Sequence, residues 1–188
     1  MTTFDGLWYL ADEASRQAER TCHRVRDRYD EPSLERTYRK SVRRARFRTL
    51  AERIADRGAP YGAHTLVNRS SGEVLLVRHD GVGKWVLPGG DLEGEESFRE
   101  AARRELREEA GIRASYDGLA MLVRVEVRCD DHRTWGVMPV FRAEADAADP
   151  TVADPDDEIV AARWFPPEAV PADTRDREDV LAAARAVA

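Results

Sequence analysis

The chain has 188 residues, 42% hydrophobic and 35% charged, with a formal net charge of −6. A chain of this length buries roughly 70% of its unfolded surface and needs no disulfide or metal staple, and no apolar run approaches the ~20 residues that span a bilayer. Its two cysteines, Cys22 and Cys129, lie far apart and outside any metal-ligand spacing. With no signal-peptide pattern in MTTFDGLWYLADEASR, free thiols in the cytoplasm are expected, away from membranes.

Taken in chain order, residues 5–29 and 33–57 read as two helices, separated at Asp30-Glu31-Pro32 because proline interrupts a helix interior. In the second, Leu34, Tyr38, Val42, Ala45, Leu50 and Ile54 recur at helical intervals. These first 58 residues hold 14 Lys and Arg against 10 Asp and Glu, whereas the remainder holds 16 against 26. The run RKSVRRARFR, residues 39–48, carries six cations and no anion. Such a run suits a solvated helix face, an acidic partner or nucleic acid.

Gly58-Ala59-Pro60 breaks the pattern, and strands follow. AHTLVN and EVLLVRH form an expected hairpin about the turn at 69–72, and 84–87 a third short strand before Pro88-Gly89-Gly90. After a Glu-rich segment, MLVRVEVR places Val123, Val125 and Val127 on one face and Arg124, Glu126 and Arg128 on the other. WGVMPVFRAE and residues 160–165 are further strands, and 175–187 a final helix. The expected class is α+β: a domain over 59–188 preceded by a helical extension over 1–58.

The Glu-rich segment carries the chemistry. Ser97 followed by Glu100 is a capping box, and Gly111 a stop, so a helix is expected over 98–110. At about 100° per residue, Glu108, Glu105 and Glu109 fall at about −60°, 0° and +40°. Phe98, Ala101, Ala102 and Leu106 lie on or beside that sector, so the carboxylates sit at the margin of the buried face. Like charges there repel and call for a cation; Arg104 flanks Glu108 at i+4. All-oxygen donors suit Mg²⁺, Mn²⁺ or Ca²⁺ over zinc or copper. The alternative is a salt-laced amphipathic surface helix.

The spacing Gly90-x5-Glu96-x7-Arg104-Glu105-Leu106-x-Glu108-Glu109-x-Gly111-Ile112 matches every defined position of the Nudix box, and the chain resembles the Nudix hydrolases from about Tyr61 onward. Residues 1–58 lie outside the resemblance, and Gly94-Glu95 before Glu96 departs from the commoner glycine immediately before that position. The resemblance implies an α/β/α sandwich with a mixed sheet that hydrolyses a diphosphate bond in a nucleoside diphosphate linked to another group. It implies Mg²⁺ or Mn²⁺ held by Glu105, Glu108 and Glu109 with the Gly89 carbonyl. Glu96 supports the loop or a second metal, and Arg104 orients the carboxylates. The general base comes either from the box, as Glu105, or from a downstream loop, where Asp156, Asp157 and Glu158 are the candidates. Trp135 is a candidate for stacking a base, and Arg78, Arg124 and Arg133 for meeting phosphate. A nucleotide-type small molecule is the expected partner. Homodimerisation through the N-terminal helices stays open, and nucleic acid is the less favoured partner. A nucleotide-sensing module or an RNA-end-processing hydrolase is the alternative.

Overall fold

The structure, a computed structural model, describes residues 6–145 and 148–187; Asp5, the first residue of the expected N-terminal helix, lies outside them. The described residues fall into two compact units. One comprises the chain up to Glu31 with Glu35–Tyr61 and Leu122–Met138; the other comprises Pro32–Leu34, Gly62–Met121 and the chain from Pro139.

In the first unit, α1 (Gly6–Arg28) forms because Leu7, Ala11, Ala14, Ala18, Thr21 and Val25 recur every three or four residues and bury one stripe. The next element corrects the expectation of a single helix over 33–57. Residues Leu34–Ser41 are a strand, β1, alternating half-buried and exposed. Leu34, Tyr38 and Val42 are four apart, which satisfies the helical i+4 rule and equally the period of two of a strand. The β-favouring Thr37-Tyr38 pair and pairing with a neighbouring strand decide for the strand. Only from Arg44 does helix resume, as α2 (Arg44–Arg57), burying Phe47, Leu50, Ala51 and Ile54 and ending at Gly58 in the left-handed conformation.

Helix α1 packs along α2, and both meet the hairpin formed by β6 (Ala114–Cys129) and β7 (His132–Ala145). In this unit β1 pairs with β6, and β6 with β7. The His132 ring lies 6.0 Å from Phe47 and 5.1 Å from Trp8. Thr134 Oγ1 donates to the Ala11 carbonyl at 3.1 Å and lies 3.0 Å from Ser15 Oγ. The N-terminal helices therefore cover the apolar face of this hairpin, which their stripes required.

In the second unit a mixed sheet forms around β2 (Ala63–Asn68). It pairs in parallel with the second half of β7, antiparallel with β3 (Val74–His79), and antiparallel with the two-residue β5 (Gly89–Gly90). Strand β3 in turn carries β4 (Lys84–Val86) and β8 (Ile159–Phe165). Helix α3 (Phe98–Ala110) packs on β2, β5 and β8, and α4 (Arg177–Val187), which follows a 3-10 turn at Pro167–Ala169, also packs on β2. Leu106 and Ala110 of α3 bury against Val67, Leu75, Val77 and Ile112. This is the mixed-sheet sandwich expected. Among the described residues no helix is long and apolar enough to cross a membrane.

Phe47 is fully buried. Phe47→Ala should therefore lower the free energy of urea unfolding by about 3–5 kcal/mol. A loss below about 1 kcal/mol would mean that α2 does not share a core with the hairpin.

Candidate active site

Helix α3 is built at both ends as its sequence dictates. Ser97 Oγ accepts from the Glu100 N–H while the Glu100 carboxylate accepts from the Ser97 N–H at 2.8 Å, a complete capping box. Gly111 closes the helix in the left-handed conformation, its N–H donating to the Arg107 carbonyl at 2.9 Å. Between these ends the carboxylates project from one sector. Glu109 lies deeper than the margin expected for it, only 7% exposed; the Glu105 side chain is 16% and that of Glu108 34% exposed.

Arg104 organises the cluster. Its guanidinium donates to both oxygens of Glu96, at 2.8 and 3.3 Å, to Glu105 at 3.0 Å and to Glu108 at 3.1 Å, and to the Asp91 carbonyl at 2.9 Å. The Glu93 N–H adds a bond to Glu96 at 2.6 Å. Burial pushes Glu96 upward, but the bonds from Arg104 and Glu93 outweigh it and hold this carboxyl below the usual range.

Glu109 is outside this network. Its carboxylate accepts a 2.8 Å bond from the Gly89 N–H. That contact exists because β5 pins Gly89 and Gly90 to β2, in the register His64↔Gly89 and Ala63↔Gly90. A Cβ at Gly89 would sit 2.4 Å from the Ala63 carbonyl oxygen, and one at Gly90 would sit 2.5 Å from Glu105 Oε1. At Gly89, in a backbone conformation that favours glycine and against β2 backbone, a side chain would be strained, and at Gly90 one would displace the Glu105 carboxylate.

The electrostatics leave the cluster short of positive charge. Burial pushes Glu109 up to about 8 despite the Gly89 N–H, with Glu105, Asp154 and Glu158 adding to the rise. Burial pushes Glu105 up to about 7, with Arg104 opposing and Glu108 and Glu93 contributing. Such a pair of buried, under-compensated carboxylates fits a hard cation with oxygen ligands. Among the described residues no three His, Cys, Asp or Glu side chains already converge on one point.

The downstream loop is docked to the same helix. The Thr151 N–H donates to the Ala110 carbonyl at 2.8 Å and the Ala153 N–H to the Glu108 carbonyl at 3.0 Å. Asp154, not among the residues singled out from sequence, accepts from the N–H groups of Asp156, Glu158 and Ile159 at 3.2, 2.7 and 2.8 Å. Its signal was Asp154-Pro155, a side chain able to cap its own turn before a proline. Asp156, Asp157 and Glu158 are exposed. Glu158 Oε2 lies 3.4 Å from His79 Nε2, and its charge reaches Glu109.

The remaining candidates have other contacts. Arg78, in the second unit, is ion-paired to Asp173 and lies over Trp85. Arg124 and Trp135 belong to the first unit, where they meet each other, the guanidinium carbon 3.6 Å from the ring centroid. Arg133 is in the first unit as well.

With this geometry in place, the comparisons are decisive on family. The NUDIX domain profile matches residues 59–184, and the chain belongs to the Nudix hydrolase family. It is 31% identical over 111 residues to a Bacillus subtilis protein provisionally named as an 8-oxo-dGTP diphosphatase, across 58% of this chain and 68% of that one. It is 35% identical over 109 residues to a Danio rerio 8-oxo-dGDP phosphatase, across 56% of this chain but only 31% of the longer relative. A NUDIX hydrolase structure from Nitrosomonas europaea superposes with a TM-score of 0.52 at 25% identity, over 66% of this chain and 87% of that one.

Glu109 carries a pH prediction for the chelated protein. Its folded pKa of about 8 is above the unfolded value, so its burial costs nothing below pH ~4.5 and increasingly more as pH rises towards 8. Glu105 acts in the same direction up to about 7. Unfolding free energy measured in urea with chelator present should fall across this window. Glu109→Gln should remove part of the fall and leave the chelated protein a few kcal/mol more stable near pH 8, at about 1.4 kcal/mol per pKa unit. Equal pH profiles for variant and wild type would contradict the burial of an uncompensated carboxyl.

Proposed function

We propose that this chain hydrolyses a diphosphate bond in a nucleoside diphosphate linked to another group, with residues 59–188 as the catalytic domain and 1–58 as an extension. One observation carries the proposal: Glu105 and Glu109 are buried on one face of α3 beside the Gly89-Gly90 strand, with too little positive charge to ionise them both cheaply. Glu105, Glu108 and Glu109, with the Gly89 carbonyl, would hold Mg²⁺ or Mn²⁺, and Glu96 would support the loop or a second ion. When bound, such ions neutralise diphosphate charge and acidify a coordinated water.

The protein groups then have separate tasks. Arg104 holds Glu105 and Glu108 in fixed rotamers from one guanidinium, while the Gly89 N–H fixes Glu109. Glu105 is committed to Arg104, whereas Glu158 is exposed, near Glu109 and next to His79. Glu158 is therefore the favoured general base, with His79 beside it to stabilise the carboxylate. Arg78, already held by Asp173, is proposed to meet substrate phosphate. Oxidised deoxynucleotides are the first substrates to assay, a choice supported by the names of the relatives for 8-oxo-dGTP and 8-oxo-dGDP, followed by ADP-ribose and other nucleotide derivatives.

A substrate panel assayed with Mg²⁺ should reveal turnover that chelation abolishes and that Mg²⁺ or Mn²⁺ restores better than Ca²⁺, whose looser coordination positions a water less well. Glu109→Gln should reduce kcat by at least ~10²-fold, as for loss of other positioned catalytic groups, while keeping the fold. Wild-type turnover by the variant, or activity surviving chelation, would overturn the metal-hydrolase assignment.

A further inference from the structure

No role in the proposed hydrolysis falls to the basic run of the N-terminal region or to the Arg124–Trp135 pair, and the first unit brings Arg39 of that run to the same glutamate as Arg124. Because residues 34–41 are strand β1, Arg39 lies beside β6, its Nε donating to Glu126 at 3.1 Å; just after β1, the Val42 N–H bonds the Arg128 carbonyl at 2.9 Å. Glu126 also faces Arg124 at 3.4 Å and Arg128 at 3.7 Å. One carboxylate is thus shared by three guanidiniums. Arg133 has no ion-pair partner among the described residues, and within Leu122–Met138, the part of the hairpin in this unit, the carboxylates besides Glu126 are Asp130 and Asp131 in the turn.

These cations are open to solvent: the side chains of Arg39, Arg124 and Arg128 are 67%, 43% and 56% exposed. Arg124, Arg128, Arg133 and Trp135, with Glu126, line a recess of about 270 Å³. A second recess of about 450 Å³ shares Arg124 and Trp135 and reaches Arg36 and His23; it also contains Glu35, which is paired with Arg26 at 2.7 Å.

We propose that this sheet face binds single-stranded nucleic acid, with a base stacked on the Arg124–Trp135 pair and successive phosphates on Arg128, Arg133 and Arg39. The charge is complementary, since around Glu126 four arginines stand against that one glutamate, while Glu19 and Glu35 of the second recess lie with Arg26 and Arg36. The spread favours a chain of phosphates over a single one: residues four apart on a strand are about 13 Å apart, wider than one phosphate group. The stack favours an unpaired base, whose face is free to meet an aromatic ring or a guanidinium plane. That the whole chain is acidic, at −6, makes this excess a local property of the face.

The test is fluorescence anisotropy of the full chain with a labelled 12-nucleotide oligouridylate, in chelator. Without divalent metal it succeeds or fails independently of the hydrolase proposal. Binding should weaken with salt with a log–log slope of about −2, for three neutralised phosphates at about −0.7 each. Arg128→Gln/Arg133→Gln should bring the slope to about −0.7 and weaken binding at least tenfold. Trp135→Leu should weaken it about tenfold, and gives an independent reading should the double variant fail to fold. Arg103→Gln/Arg107→Gln on α3 should bind as wild type. The proposal is overturned by no anisotropy change at 50 mM salt, or by folded variants of this face that bind normally. Equal loss in the α3 variant would also overturn it, as would displacement by millimolar AMP or by polyglutamate as readily as by unlabelled oligomer.

Discussion

Arg104 spreads its guanidinium over Glu96, Glu105, Glu108 and the Asp91 carbonyl, and the remaining features of the carboxylate face follow from what that one cation reaches. Glu96 and Glu93 belong to the loop ahead of α3, so the same group that fixes the helical carboxylates also ties the loop down. A lysine could not replace it: a compact ammonium lacks the planar fork that serves both oxygens of Glu96 while still reaching Glu105 and Glu108. Glu109 lies beyond its reach and relies on a single backbone N–H from Gly89. Of the carboxylates on α3, the most buried is thus also the least compensated.

That arrangement is set by the sheet. Pairing of the two-residue β5 with β2 places Gly89 and Gly90 between the strand and α3, where a Cβ at Gly89 would strike the Ala63 carbonyl and one at Gly90 would push the Glu105 carboxylate aside. Strand and helix therefore come close enough for a backbone N–H to meet a buried carboxylate. The loop docked on the C-terminal end of α3 through Thr151 and Ala153 brings Glu158 to the same face. The downstream loop is held to the helix by backbone hydrogen bonds, which leaves its side chains available for chemistry.

The helix and its caps were legible in the sequence because a capping box and a C-terminal glycine are local signals that tertiary contacts reinforced. Most strands from 63 onward were legible from apolar runs bounded by turn residues, but the two-residue β5 and the start of β6 at Ala114 were not, because pairing with neighbouring strands defines them. Residues 34–41 were not: Leu34, Tyr38 and Val42 obey two periods at once, and only pairing with β6 selects the strand. Within the site, the sector shared by Glu105, Glu108 and Glu109 followed from helical geometry. The depth of Glu109 did not, since it depends on how closely the Gly89-Gly90 strand approaches. Asp154 was missed for a related reason: its carboxylate shapes a turn through backbone N–H groups, and a search for side chains that act on a ligand passes over one that positions them.

The two units share a charge logic with opposite signs. In one, a single arginine is hydrogen-bonded to three glutamates and a fourth, Glu109, is left to a backbone amide. In the other, a single glutamate is shared by three arginines and a fourth, Arg133, adds to the excess. A purely structural ion network tends towards balance, because an uncompensated charge is costly when buried and repulsive when clustered. Neither cluster is balanced by its own residues. The buried acidic one carries the larger cost, and a bound cation relieves it directly; the exposed basic one is partly screened by water and salt, so its ligand must offer several negative groups to bind well. That difference in burial is why a small ion is proposed for the one cluster and a chain of phosphates for the other.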